Sequence, residues 1–232
     1  MKRVWNLMRV GVINTPTMLW IPFLVLAIAA VISIAVFAVV PAAPTGQAMI
    51  SGGMNAPLWY FMPLGIQAVA FLFPFSIALG ATRREYALSC FLSALLLGIA
   101  LSVVTTVGGA IEGVTEGWGH RWYFFRLPWM WDDGWFGAFL LTAAITWFFY
   151  LLGFAFTVLY KRLGTVALIL AVGTLVLALV GVLWIVVASA GWASLFAWFN
   201  WFGPFSTAGF LTALSVIVAG GAYWAIRRLQ IR

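Results

Sequence analysis

Charge is what this sequence has least of. Asp, Glu, Lys and Arg together make up 7% of its 232 residues. Soluble domains carry about a quarter of their residues charged, so a water-solvated fold is excluded. Cysteine occurs once, as Cys90 inside an apolar run, which excludes an intrachain disulfide. Histidine also occurs once, as His120. A metal centre needs several converging ligands, and one histidine among scattered acids has no recognised ligand spacing, so no metal ligands are expected. The same poverty leaves no nucleophile–base constellation, and no catalytic residues are expected. The two lysines, Lys2 and Lys161, stand in no Gly-x-x-x-x-Gly-Lys-Ser/Thr loop, so the chain has no nucleotide motif and no expected cofactor-binding residues.

What the sequence has in abundance is apolar length. Hydrophobic residues make up 65% of the chain, and they fall in runs of the ~20 residues that cross a bilayer. The pattern predicts an all-α integral membrane protein forming a single domain over residues 1–232. Six transmembrane helices are expected, at about 18–40, 57–79, 87–107, 135–159, 165–188 and 206–226. Ahead of them, residues 2–13 read as an amphipathic interfacial helix. Lys2, Asn6 and Arg9 recur on one side, and Val4, Trp5, Met8 and Val12 on the other. This basic start followed by an apolar run resembles a signal peptide. The run at 18–40 is much longer than a 7–15-residue signal core, however, and is read as a retained span.

Several polar positions interrupt the apolar pattern. In the second span Pro63 and Pro74 remove backbone donors and predict a kink. Gln67 near its middle reads either as an interhelical hydrogen bond or as a substrate contact. Ser102, Thr105 and Thr106 near the end of the third span are expected to bond to their own helix backbone. Residues 108–134 hold Glu112, Glu116, Asp132, Asp133, His120, Trp118, Trp122, Trp129 and Trp131, and predict a segment folded on the outer surface as an aromatic lid. Gly173 and Gly181 in the fifth span are read as small contacts for helix packing. Residues 191–204, rich in Trp and Phe and without charge, predict a re-entrant segment before the sixth helix. Within it, Phe199 and Asn200 join Gln67 as candidates to line a translocation path.

The basic residues sort by side. Lys2, Arg3, Arg9, Arg83, Arg84, Lys161, Arg162, Arg227, Arg228 and Arg232 fall on one face of the six-span arrangement, and only Arg121 and Arg126 on the other. Cationic loops stay inside, so both termini are expected in the cytoplasm and the basic residues to set topology. The net charge of +7 therefore points to a membrane surface and lipid, not to nucleic acid.

Between the second and third runs lies a tight turn of seven residues: Gly80, Ala81, Thr82, Arg83, Arg84, Glu85 and Tyr86. Its simplest reading is a topology anchor. Together with Leu79, however, it resembles the Gly-x-Thr-Arg-Arg turn of small bacterial permeases of the type-2, export-class (ABCG-like) ATP-binding-cassette family. The basic N-terminal helix, the six spans, the re-entrant stretch and the basic C-terminus extend that resemblance over nearly the whole chain. The external segment 108–134 departs from it in length and tryptophan content. The resemblance implies a permease subunit of a plasma-membrane exporter, in the bacterial inner membrane, moving a hydrophobic or amphipathic substrate. It also implies ATP and Mg bound by cytosolic ATPase subunits, a second permease subunit as a homo- or heterodimer partner, and a coupling role for Gly80–Tyr86 at the ATPase.

A secondary transporter or channel would usually place ionisable residues inside spans, and all five acids fall outside those read here. A membrane-embedded enzyme lacks its constellation, and a non-transporting scaffold or sensor stays open. Topology is directly testable. In a Cys90→Ala background, single cysteines at Gly46, Gly119 and Ser194 are expected to label from outside intact cells. Those at Asn6, Thr82 and Gln230 are not, and external labelling at Thr82 would overturn the arrangement.

Overall fold

The computed structural model describes residues 20–40, 48–189, 191–192 and 202–227. It is an all-α membrane protein. Helix α1 spans Ile21–Val39, with proline in its first turn, where a missing N–H costs nothing. A short strand β1 (Met49–Ile50) and a 3₁₀ turn (Gly52–Asn55) lead into α2 (Ala56–Gln67). A π turn at Ala68–Leu72 joins α2 to α3 (Phe73–Ala78). Helix α4 (Arg83–Val114) is followed by a turn at Gly117–Arg121, strand β2 (Trp122–Tyr123) and the single-turn α5 (Pro128–Trp131). Helix α6 runs from Gly134 to Ala188, and α7 from Pro204 to Arg227. Among the described residues five helical stretches are long and apolar enough to cross a membrane, α2, its π turn and α3 counting as one.

The 55-residue α6 is two arms. Gly164 sits at φ 83°, ψ 179°, a conformation that residues with a Cβ avoid, and divides residues 134–163 from 165–188. Its first arm is the spine of the bundle. Trp59 packs on Phe149, with ring centroids 4.6 Å apart, and further along Lys161 reaches Val69, so α2–α3 runs parallel to this arm. At one end of α7 the Phe205 amide meets Asp133, and at the other Arg162 lies over the Trp224 ring, so α7 is parallel to it too. Helix α4 runs the opposite way, with Gly98 against Thr146 and Trp147 Nε1 donating to the Phe91 carbonyl at 3.1 Å. Phe61, Leu64, Phe73, Leu101, Leu141, Leu151 and Phe154 fill the space between these helices. No residue of 165–188 is buried within the chain.

Several expectations are corrected. The third span is not confined to 87–107. The Thr82–Glu85 cap starts α4 at Arg83, and the helix passes through Gly108 and Gly109 to Val114. Glycine usually weakens a helix by roughly 0.5–1 kcal/mol. Here the bare faces of Gly108 and Gly109 receive the rings of Phe125 and Trp131. Residues 108–114 are therefore the last turns of this helix. A Cβ at Gly173 or Gly181 would meet nothing else among the described residues, so neither is a close packing contact there. Ser102 and Thr105 do bond to backbone carbonyls of α4, at 2.8 and 3.1 Å, whereas Thr106 Oγ1 has no partner among the described residues. The interfacial helix at 2–13 and most of the re-entrant segment, residues 193–201, lie outside the described residues.

A close backbone approach lies between α2 and the first arm of α6. A Cβ at Gly65 would sit 2.0 Å from the Tyr150 carbonyl oxygen, and one at Gly153 would sit 2.1 Å from that of Met62. Backbone meets backbone there, with no side chain able to give way. Gly65→Ala and Gly153→Ala are each expected to destabilise the protein by about 1–3 kcal/mol, the usual cost of overpacking. Gly173→Ala, in open space, is expected to leave stability unchanged or slightly raised. Thermal unfolding of the three variants in detergent checks this contrast.

Candidate functional site

The turn between α3 and α4 is built by local chemistry. Gly80, at φ 78°, closes α3, with its amide on the Ile77 carbonyl (2.9 Å) and the Ala81 amide on that of Ser76 (3.1 Å). The Thr82 hydroxyl accepts from the Glu85 amide at 3.2 Å, and the Glu85 carboxylate accepts from the Thr82 amide at 3.0 Å. This reciprocal capping box satisfies two donors that a helix start would leave bare.

The two arginines have different roles. Arg83 donates through Nη1 to the carbonyls of Ile226 and Arg227, closing the end of α7. A cation there meets the unpaired carbonyls and negative pole of a helix C-terminus. Arg84 is exposed and has no partner among the described residues. Tyr86 is buried, its ring edge-on to Phe73 (centroids 5.3 Å) and its hydroxyl donating to the Ala68 carbonyl.

That carbonyl belongs to the π turn, where the backbone ladder is out of step. The Phe73 amide bonds to Ala68 and not to Val69, its ordinary partner one turn back. Pro74 has no N–H to offer Ala70. Two carbonyls thus lose their usual donors, and the Lys161 ammonium takes both, at 2.9 Å from Val69 and 3.1 Å from Ala70. The sequence marks Lys161 only as a topological charge. The usable signal was Pro74, which orphans the carbonyl four residues before it. Gln67, at the last position of α2, is half-buried and makes no side-chain hydrogen bond among the described residues. Asn200 and Phe199 lie outside the described residues.

The opposite end of the bundle is a folded cap. Strands β1 and β2 pair in parallel, Met49 beside Trp122 and Ile50 beside Tyr123. Trp122 also meets Phe37 of α1 and stacks with His120, with centroids 5.7 and 4.9 Å away. The centre of the cap is Glu112. Its carboxylate is fully buried, at 0% exposure, and accepts from the amides of Phe124, Phe125 (2.8 Å) and Arg126 (2.9 Å) and from Trp118 Nε1 (3.2 Å). Reading all the acids as surface groups missed this. The spacing of Glu112 four and three residues beyond Gly108 and Gly109, on one helix face, is the signal that was there. Among the described residues no three His, Cys, Asp or Glu side chains are grouped so as to hold a metal ion.

No protein family, curated protein or solved structure matches the chain.

Removing the Glu112 carboxylate strands three backbone amides, each costing about 1–3 kcal/mol if left buried without a partner. Glu112→Ala is therefore expected to loosen the cap. The measurement is limited trypsin digestion of protein in detergent. Cleavage after Arg121 or Arg126 is expected to be many times faster than in wild type, while cleavage after Arg83 is unchanged.

Proposed function

We propose that the chain is the membrane-spanning permease subunit of an ATP-binding-cassette transporter, with six spans and both termini on the cytoplasmic face of the cell membrane. The parallel course of residues 134–163 and α7 supports the span count. Two parallel neighbours need a return crossing between them. The arm 165–188, about 36 Å long at 1.5 Å per residue, is the apolar stretch available for it. Orientation follows the charges, since Arg83, Arg84, Lys161, Arg162 and Arg227 gather at one end of the bundle.

The observation that carries the reading is the rigid turn at that end. Capped at Thr82 and tied through Arg83 to the end of α7, it moves only together with α3, α4 and α7. Arg84 stands outward from it. Such a turn can pass a rigid-body shift from a partner to several helices at once, which a loose loop cannot. ATP and Mg belong to separate cytosolic subunits docking there. A second permease subunit, of the same or another chain, completes the path, and the bare surface of 165–188 faces lipid or that partner. Export of a hydrophobic or amphipathic substrate is the direction this assembly implies.

The two arginines make the reading testable. A lysine keeps the charge that sets topology but loses the planar fork that grips a carboxylate or carbonyl pair. Arg84→Lys is expected to preserve expression and orientation while lowering substrate-stimulated ATPase activity of the reconstituted complex about tenfold. That is the effect of losing one charged hydrogen bond of about 1.5–3 kcal/mol. Arg83→Lys is expected to lower the thermal stability of the isolated subunit. ATPase rates against substrate concentration decide the matter, and wild-type stimulation in both Arg84→Lys and Arg84→Ala would reject the coupling role.

A further inference from the structure

The cap end carries a second site, independent of the permease reading. An open pocket of about 440 Å³ lies between the two strands and α5, lined by Ala48, Ile50, Tyr123, Arg126, Pro128, Trp131 and Asp132. Its two charges are of opposite sign. The Arg126 guanidinium is held in place on both sides. Nη1 occupies the space that a Cβ at Gly113 would fill, and the group lies 5.3 Å from the centre of the Trp131 ring. Its backbone amide is fixed by Glu112 at 2.9 Å. No carboxylate pairs with Arg126 among the described residues, and Asp132, exposed beside it, has no partner there either. A pinned guanidinium without an anion is a preorganised oxyanion receptor, since its ordering cost is already met on folding. The Asp132 carboxylate, which shares the pocket lining and has no partner among the described residues, is the complementary seat for an ammonium.

The depth of the pocket selects the ligand class. Asp132 stands two residues before the start of the long apolar α6. Trp129 and Trp135 flank it, 51% and 65% exposed. Exposed tryptophans beside an apolar helix end mark the membrane interface, the level of lipid headgroups. We propose that this pocket binds a zwitterionic phosphoester of the phosphoethanolamine type, phosphate on Arg126 and ammonium on Asp132. Tyr123, Pro128 and Ile50 wall the linker between them.

The test is native mass spectrometry of the purified full chain, delipidated and titrated with phosphatidylethanolamine, phosphatidylglycerol or soluble phosphoethanolamine. Wild type is expected to retain phosphatidylethanolamine about tenfold more tightly than phosphatidylglycerol. Asp132→Asn, whose side chain has no hydrogen bond or ion pair to lose among the described residues, is expected to erase that preference while still binding both lipids. Arg126→Gln is expected to weaken both lipids about tenfold. So is Gly113→Ala, which leaves every charge in place but displaces the guanidinium. Competition by soluble phosphoethanolamine would make the headgroup itself the ligand, and retention of lipid against it would make the whole lipid the ligand. Equal binding of the two lipids by wild type, or an unchanged preference in Asp132→Asn, would overturn the proposal whether or not Arg126→Gln folds.

Discussion

Inside a bilayer there is no water to take up a backbone amide or carbonyl that its own helix has let go. Three irregular places among the described residues are built around that constraint. Pro74 and the π turn release the carbonyls of Val69 and Ala70, and Lys161 takes both. At the last described turn of α7, Arg83 covers the carbonyls of Ile226 and Arg227. Where the chain turns back after α4, three successive amides face inward, and the Glu112 carboxylate accepts all three. Five charged side chains, Arg83, Glu85, Glu112, Asp133 and Lys161, thus act on backbone. Each sits where an apolar side chain would leave a polar group bare, at a cost of about 1–3 kcal/mol.

The two ends of the bundle differ in kind as a result. One is basic, compact and tied across three helices, with Arg84 left over on its surface. The other is a wider cap in which acids, tryptophans and a strand pair enclose a buried carboxylate. Between them the α2–α6 seam, closed at Gly65 and Gly153, allows no relative sliding without separation. Motion in such a body is rigid-body motion of packed helices, or movement of the arm 165–188, none of whose residues is buried.

Long apolar runs are legible in sequence because length and hydropathy alone identify them, and α1, α2–α3 and α7 begin and end within a few residues of expectation. The boundary of α4 is not legible in that way. Gly108 and Gly109 read as a breaker pair in isolation and become a packing surface only when Phe125 and Trp131 arrive from farther along the chain. The turn at Gly80–Tyr86 is legible as a unit, since Thr82 and Glu85 have capping-box spacing. The division of labour between Arg83 and Arg84 is not, because it depends on where α7 ends. The roles of Lys161 and Glu112 are legible only indirectly, through Pro74 and through the spacing of Glu112 from Gly108 and Gly109. Most of their partners are main-chain atoms, which carry no residue-specific signal.

The pairing of Lys161 with the π turn also bears on the order in which the protein is made. Val69 and Ala70 leave the ribosome about ninety residues ahead of the lysine that completes them. Until it arrives, the second span has two open carbonyls and a weak point at Pro74. It must wait beside water or within the insertion apparatus before the lipid can close around it. The second span is finished only by a residue made about ninety positions after it.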